Sequence, residues 1–244
     1  MSELLINLKK QFILNFIEDD RWKYLTDGLL LTIIITLCAA VLGVVIGVVM
    51  AAIRTTYDKN KESLKRGNKL GYAILSFLNG ISKVYITVIR GIPMVVQLLI
   101  MYFVIFASSK NSTMVAIIAF GINSGAYVAE IFRGGIMSID DGQFEAGRSL
   151  GFNYIQTMIY IVIPQVIKNI LPTLLNEFIA LLKETSVAGY VGIADLTRGG
   201  NIILGVTFSA FMPLIAVAII YLVMVMILTY IVGRIERRLR KSER

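Results

Sequence analysis

Residues 28–53 run 26 positions without one charged side chain. In a bilayer, roughly 20 consecutive apolar residues make one helical crossing. Residues 91–109 and 111–129 are also uncharged and are separated by a short polar turn at Lys110. A further uncharged run covers 199–233 and is solidly apolar from Val206. A weaker span is placed at 159–182, although Lys168, Asn169, Pro172, Asn176 and Glu177 interrupt it. Composition agrees, with 57% hydrophobic and 16% charged residues, against about 45–50% apolar and about 25% charged in soluble domains. The expected fold class is an all-α integral membrane protein with about five transmembrane helices.

Charge placement orients these spans. The formal net charge is +8. Residues 54–69, read as a solvated loop, carry Arg54, Lys59, Lys61, Lys65, Arg66 and Lys69, and the tail 234–244 carries Arg234, Arg237, Arg238, Arg240, Lys241 and Arg244. Basic loops stay on the cytoplasmic side, so this charge is assigned to topology and no nucleic-acid partner is expected. An odd number of spans then puts the N-terminus outside and the C-terminus in the cytoplasm. The expected organisation is an external interfacial segment (1–27), a transmembrane domain (28–233) with a cytoplasmic segment at 136–158, and a basic tail (234–244). Leu5, Leu8, Phe12 and Phe16 recur at helical spacing in the first segment, as in a helix lying on a membrane surface.

Several chemistries are excluded. The chain has no His and one Cys, Cys38, so neither a Cys/His zinc site nor a His-activated nucleophile can form. It contains no Gly-Lys pair, which removes the phosphate-cradling G-x-x-x-x-G-K-[ST] loop. Any ATP hydrolysis linked to this chain belongs to another chain.

The spans carry two kinds of signal. Ala39, Gly43, Gly47 and Ala51 repeat every fourth position, the small-xxx-small spacing that lets helices approach closely in lipid. In 111–129 and just beyond, Asn123, Tyr127 and Glu130 lie within about 60° of one another at 100° per residue, opposite Gly121, Gly125 and Ala129. Arg133 follows Glu130 at i+3, the spacing of an ion pair. In the weaker span, Gln165, Asn169, Pro172, Asn176 and Lys183 share one side, with Lys168 at its edge, and Ile170, Leu174, Phe178 and Leu181 share the other. Such a helix belongs beside water or another subunit, because charge in lipid costs about 2.5–3.5 kcal/mol on insertion scales.

Between these spans stands Glu145-Ala146-Gly147-Arg148-Ser149-Leu150-Gly151, followed by Ile161-Val162-Ile163-Pro164. The segment resembles the E-A-A-x3-G-x9-I-x-L-P signature of permease subunits of ABC importers, with Gly147 in place of the second Ala and Ile163 in place of Leu. Arg90-Gly91-Ile92-Pro93 with Gln97 is similar to the R-G-T-P-x-x-x-Q stretch of the polar amino acid permease group (histidine, glutamine, arginine and cystine types). The run from Ala126 to Ile136, Gly142-Gln143, Pro164-Gln165, Pro172, Asn176 and Lys183-Glu184-Thr185-Ser186 are similar to that group too.

The resemblance implies a type I importer-like permease of five helices in the bacterial cell membrane, pairing with a second permease, identical or related, around a central path. It further implies ATP-binding-cassette ATPase subunits that hold the ATP and magnesium, an external solute-binding protein, a polar amino acid substrate and surrounding lipid. This chain itself would need no cofactor and would catalyse nothing alone. Glu145, Ala146, Gly147, Arg148 and Gly151 would couple to the ATPase. Gln97, Asn123, Tyr127, Glu130, Asn176 and Lys183 would line the substrate path. The other transport class compatible with polar intramembrane helices is an ion-gradient-driven amino acid transporter, which typically shows internal repeats; none is visible here.

Overall fold

The computed structural model of the chain describes residues 2–241; the last three residues of the expected basic tail, 242–244, lie outside the described residues. The elements are α1 (Ser2–Phe12), α2 (Trp22–Gly67), α3 (Lys69–Gly91), α4 (Met94–Ile100), α5 (Ser112–Met137), α6 (Asp141–Ser149), α7 (Tyr154–Thr157), α8 (Ile163–Glu184), α9 (Leu196–Thr207) and α10 (Phe211–Lys241). Wider π turns extend α4 through Ile105 and join α7 to α8, and a 3-10 turn, Thr185–Val191, follows α8. Five helical stretches are long and apolar enough to cross a membrane: Trp22–Gly67, Lys69–Gly91, Ser112–Met137, Tyr154–Val191 and Phe211–Leu239.

Their number matches the expectation, but two assignments change. The second span is α3, whereas residues 91–109 hold only the shorter apolar stretch Met94–Ile105. Lys83 and Arg90 had broken the uncharged run across α3. Pro93 then ends that helix, because its ring disfavours helical geometry at the preceding residue, and Ile92 is extended at φ −108°, ψ 133°. Residues 54–67 are not a loop but the continuation of α2. No Gly or Pro lies between Arg54 and Arg66, and the break comes at Asn68, whose side chain accepts the Gly71 N–H at 2.9 Å to open α3.

The chain forms two compact units. In the first, Phe16, Leu25, Leu196, Ile203 and Val217 form the core. Gly28 is required where α2 approaches the backbone of Asp195, since a Cβ there would stand 2.7 Å from the Asp195 carbonyl oxygen. Thr32 accepts the Leu196 N–H at 3.1 Å, and Thr36 lies 3.3 Å from the Thr185 hydroxyl. The N-terminal segment is tied down more firmly than an amphipathic pattern suggests. Asn15 is fully buried, accepts the Thr207 hydroxyl at 2.8 Å and donates to Ser209 at 3.3 Å. Arg21 donates to the Leu14 carbonyl and pairs with Asp19 at 2.6 Å. Of the expected apolar positions, Phe16 enters the core, while Leu5, Leu8 and Phe12 remain exposed.

In the second unit, α2 packs on α5 as the small-residue spacing implies. Gly43 faces Ser124, Gly47 faces Val128 and Ala129, Gly121 faces Leu42, and Gly125 faces Ile46. A Cβ at Gly47 would lie 2.5 Å from Val128. In lipid the helices gain no hydrophobic advantage from meeting, so contact of this closeness is what holds them. The outer face of α3 is apolar (Leu70, Ile74, Phe77, Ile81, Val84 and Val88), whereas Asn79 and Ser82 point inward. That is the reverse of a water-soluble helix. At the end bearing α6, Ile136, Ile139, Phe144, Val162, Val166 and Ile170 form a second core.

Candidate functional site

The E-A-G segment folds as α6, and its two ends are built locally. Asp140 caps the helix by accepting the Gly142 N–H at 2.6 Å, and Asp141 sits in the first turn, where a carboxylate meets the positive end of the helix dipole. The helix opens at Asp141, one turn before Glu145. It stops at Gly151, whose φ of +81° an L side chain would resist. Asn153 and Gln156 then close a reciprocal capping box, at 2.9 Å in each direction, that starts α7. Phe144 and Gly147 are buried against the platform, and Glu145, Ala146, Arg148 and Ser149 are exposed beside Leu150 and Ile155. Gly147 stands where α6 meets α7, since a Cβ there would lie 2.6 Å from both Cγ2 and Oγ1 of Thr157. An Ala in this position would press its methyl onto Thr157.

Charged groups tie this knob to the spans. Glu130 pairs with Arg133 at 3.8 Å, as the i+3 spacing indicates, but its shorter contact is to Arg54 on α2, at 2.5 Å. Arg133 also meets Asp58 at 3.3 Å. Lys59 reaches Asp141 at 2.5 Å and lies 4.7 Å from the centre of the Phe144 ring. A hydrogen bond from Lys59, then its charge, with a smaller contribution from Arg148, hold the Asp141 carboxyl below the ordinary carboxylate range. Sequence reasoning singled out neither Arg54, Asp58 nor Lys59 as a partner. The visible signal was only that three charged residues fall within six positions.

The expected path residues divide between the units. Asn123, Tyr127, Glu130 and Asn176 belong to the second, and Gln97 and Lys183 to the first. Asn123 and Gln97 are buried. Tyr127 carries the Arg90 guanidinium 5.1 Å above its ring, a cation–π contact. Ser124 donates to Glu177 at 3.2 Å. On α8 the apolar side turns inward, with Ile170 and Leu181 buried, while Asn169, Asn176 and Lys183 are exposed along one stripe. Gln165, at the lower end of the same face, donates to Gln143 at 3.2 Å and so touches the α6 segment.

A polar cavity of about 330 Å³ that sequence reasoning missed lies in the first unit, lined by Ser186, Gly189, Tyr190, Thr197, Arg198 and Asn201. Beside it Asp195 caps α9, accepting the Arg198 N–H at 3.0 Å. Asp195 is wholly buried and its Oδ2 has no partner among the described residues. Burial pushes its carboxyl up to about 6, against the opposing pull of the Arg198 and Thr197 N–H groups. Among the described residues, no group of three or more His, Cys, Asp or Glu is placed to hold a metal ion.

Residues 70–241 match the family described as binding-protein-dependent transport system inner membrane component. The chain is similar to the glutamine transport system permease protein of Escherichia coli (strain K12), 39% identical over 166 residues, covering 66% of this chain and 76% of that protein. It is equally similar to the arginine transport system permease protein of Bacillus subtilis (strain 168), 39% identical over 166 residues, covering 67% and 76%. Its fold resembles a chain in the crystal structure of an amino acid ABC transporter with histidines, with a TM-score of 0.77 and 38% identity over 91% of this chain and 98% of that one. It also resembles the methionine ABC transporter in an inward-facing conformation, with a TM-score of 0.74 at 19% identity, a likeness of fold alone.

Proposed function

The chain belongs to the inner membrane components of binding-protein-dependent transport systems, and from that premise we propose that it is the permease subunit of an ATP-driven importer of polar amino acids. The observation that carries the reading is α6. It is a short polar helix seated by Phe144 and Gly147 on an apolar platform, with Glu145, Ala146 and Arg148 turned outward. A groove on a separate ATP-hydrolysing subunit receives this face in the cytoplasm. Nucleotide binding there moves α6, and the spans rooted in the same platform, α5 and α8, move with it. The path opens outward to accept an amino acid from an external binding protein, and hydrolysis returns it to the inward-open state. Two permease copies, identical or related, enclose the path.

The exposed stripe of Asn169, Asn176 and Lys183 on α8 supports a wet face, since polar groups in membrane helices turn toward protein or water. Gln97, Asn123, Tyr127, Glu130, Asn176 and Lys183 contribute polar contacts along the path. Names of similar proteins point to glutamine and arginine, while the lining here offers charges of both signs.

The test is a mild-detergent pull-down of the tagged chain from its native membranes, comparing wild type with Glu145→Lys. A nucleotide-binding ATPase recovered with the wild type and reduced with the variant supports the reading. Repeated absence of any ATPase, together with uptake that follows an ion gradient, sinks it in favour of a secondary transporter.

A further inference from the structure

Lys59 makes a contact that the coupling segment alone does not explain. Its ammonium is 2.5 Å from Asp141 Oδ1, in the first turn of α6, and 4.7 Å from the ring centre of Phe144, the buried anchor of the same helix. One side chain of α2 therefore holds both the polar start and the apolar root of α6. Carboxylate and ring face act on the same cation, the first by charge and the second by its quadrupole. Just before Lys59 on α2, Asp58 holds Arg133 at 3.3 Å, and one turn earlier Arg54 holds Glu130 at 2.5 Å, both on α5. Positions 54 and 58 stand one above the other on the helix, and 59 lies about 100° round from 58. The same extension is also tied to α3, with Tyr57 stacked on Tyr72 at 6.3 Å between ring centres. The part of α2 beyond Arg54 is thus gripped by α5, α6 and α3.

We propose that Lys59 is a positioning residue that locks the extension of α2 to α6, so that displacement of α6 is delivered to the first span as well as to α5 and α8. The proposal rests on the importer reading above. It gives the 46-residue length of α2 a mechanical purpose, because a rigid helix carries to its membrane half a movement applied at its protruding end. The comparable ion pair Lys23–Asp20 joins residues three apart and ties only the start of α2 to the turn that precedes it.

The experiment reconstitutes the full complex in liposomes: this chain, its ATPase, its second permease and its binding protein. Uptake of a labelled mixture of polar amino acids is measured per ATP hydrolysed. Lys59→Met, which keeps the stem and removes the charge, is expected to lower that ratio about fivefold or more, the low end of a coupling between sites. Lys59→Arg is expected to retain it within about twofold, since the charge still reaches Asp141. Lys59→Asp is expected to lose coupling and the exchange Lys59→Asp with Asp141→Lys to recover most of it, with melting temperatures in detergent unchanged throughout. A ratio for Lys59→Met within about twofold of wild type overturns the proposal. So does a loss that tracks the melting temperature and is not recovered by the exchange. If the wild type shows no ATP-dependent uptake at all, the importer reading falls and takes this one with it; coupled wild type beside coupled Lys59→Met overturns the role of Lys59 alone.

Discussion

Asp195 shows how one side chain can serve a fold and strain it together. As the cap of α9 it satisfies an N–H that would otherwise be left open, and either Asp or Asn fills that role. As a buried carboxyl with an unpartnered Oδ2 it resists ionising, which is why its pKa rises to about 6. A carboxyl whose pKa is raised in the fold contributes stability below its unfolded value, and loses it as pH climbs through the folded value. Asp195→Asn keeps the cap and removes the titration. Its melting temperature in detergent should match wild type near pH 4 and exceed it increasingly between pH 4 and pH 7. A difference that is flat over that range would mean the carboxyl is solvated. None of this was legible in the sequence, where Asp195 is one acid ahead of Leu196-Thr197-Arg198. The ion pair between Glu130 and Arg133 was legible, because i+3 neighbours on a helix always meet. The shorter pair of Glu130 with Arg54 was not, because 76 positions separate them and only the packing of α2 on α5 brings them together.

At the scale of elements, legibility followed charge. Uncharged runs located α2, α5 and α10, and the small-residue spacing identified which side of α2 meets α5. Charges inside a helix misled the reading at α3, through Lys83 and Arg90, and beyond Arg54 in α2, although α8 was placed in spite of Lys168 and Glu177. A helix outside the lipid keeps its hydrogen bonds whatever its side chains carry, so hydropathy marks where a membrane could be and not where a helix stops. The α6–α7 corner depends on a finer fit. Gly147→Ala gains about 1 kcal/mol of helix propensity, but its new methyl falls 2.6 Å from two atoms of a buried Thr157. Overpacking of that kind costs about 1–3 kcal/mol, so the net effect should be a lowered melting temperature. Thr157 Oγ1 has no hydrogen-bond partner among the described residues, so Thr157→Ala forfeits little. The double variant should therefore melt at or above wild type. If Gly147→Ala alone already does so, Thr157 yields freely and the corner is looser than its geometry indicates.

For the whole molecule, the decisive contrast is between two kinds of exposed surface on membrane helices. The outer face of α3 and most of α10 present apolar side chains, including Phe77, Val84, Leu222 and Ile227, as lipid requires. The stripe Asn169, Asn176 and Lys183 on α8 is exposed as well, but polar. Lipid cannot solvate it, so water or protein must. Its polar periodicity was readable in the sequence, and the structure adds that the apolar side of α8 is already used inward. Single cysteines resolve the two surfaces. With exposed Cys38 replaced by Ser, cysteines at 169, 176 and 183 should react readily with a membrane-impermeant thiol reagent in inside-out or right-side-out vesicles. Cysteines at 84 and 222 should stay unreactive in both. On the proposed importer function, adding non-hydrolysable ATP to the intact complex should shift reactivity of the stripe from one vesicle orientation toward the other, because an alternating path would expose the same side chains to opposite compartments. Reactivity at the stripe equal to that at 84 and 222 would place this face against lipid or a dry interface and remove it from the path.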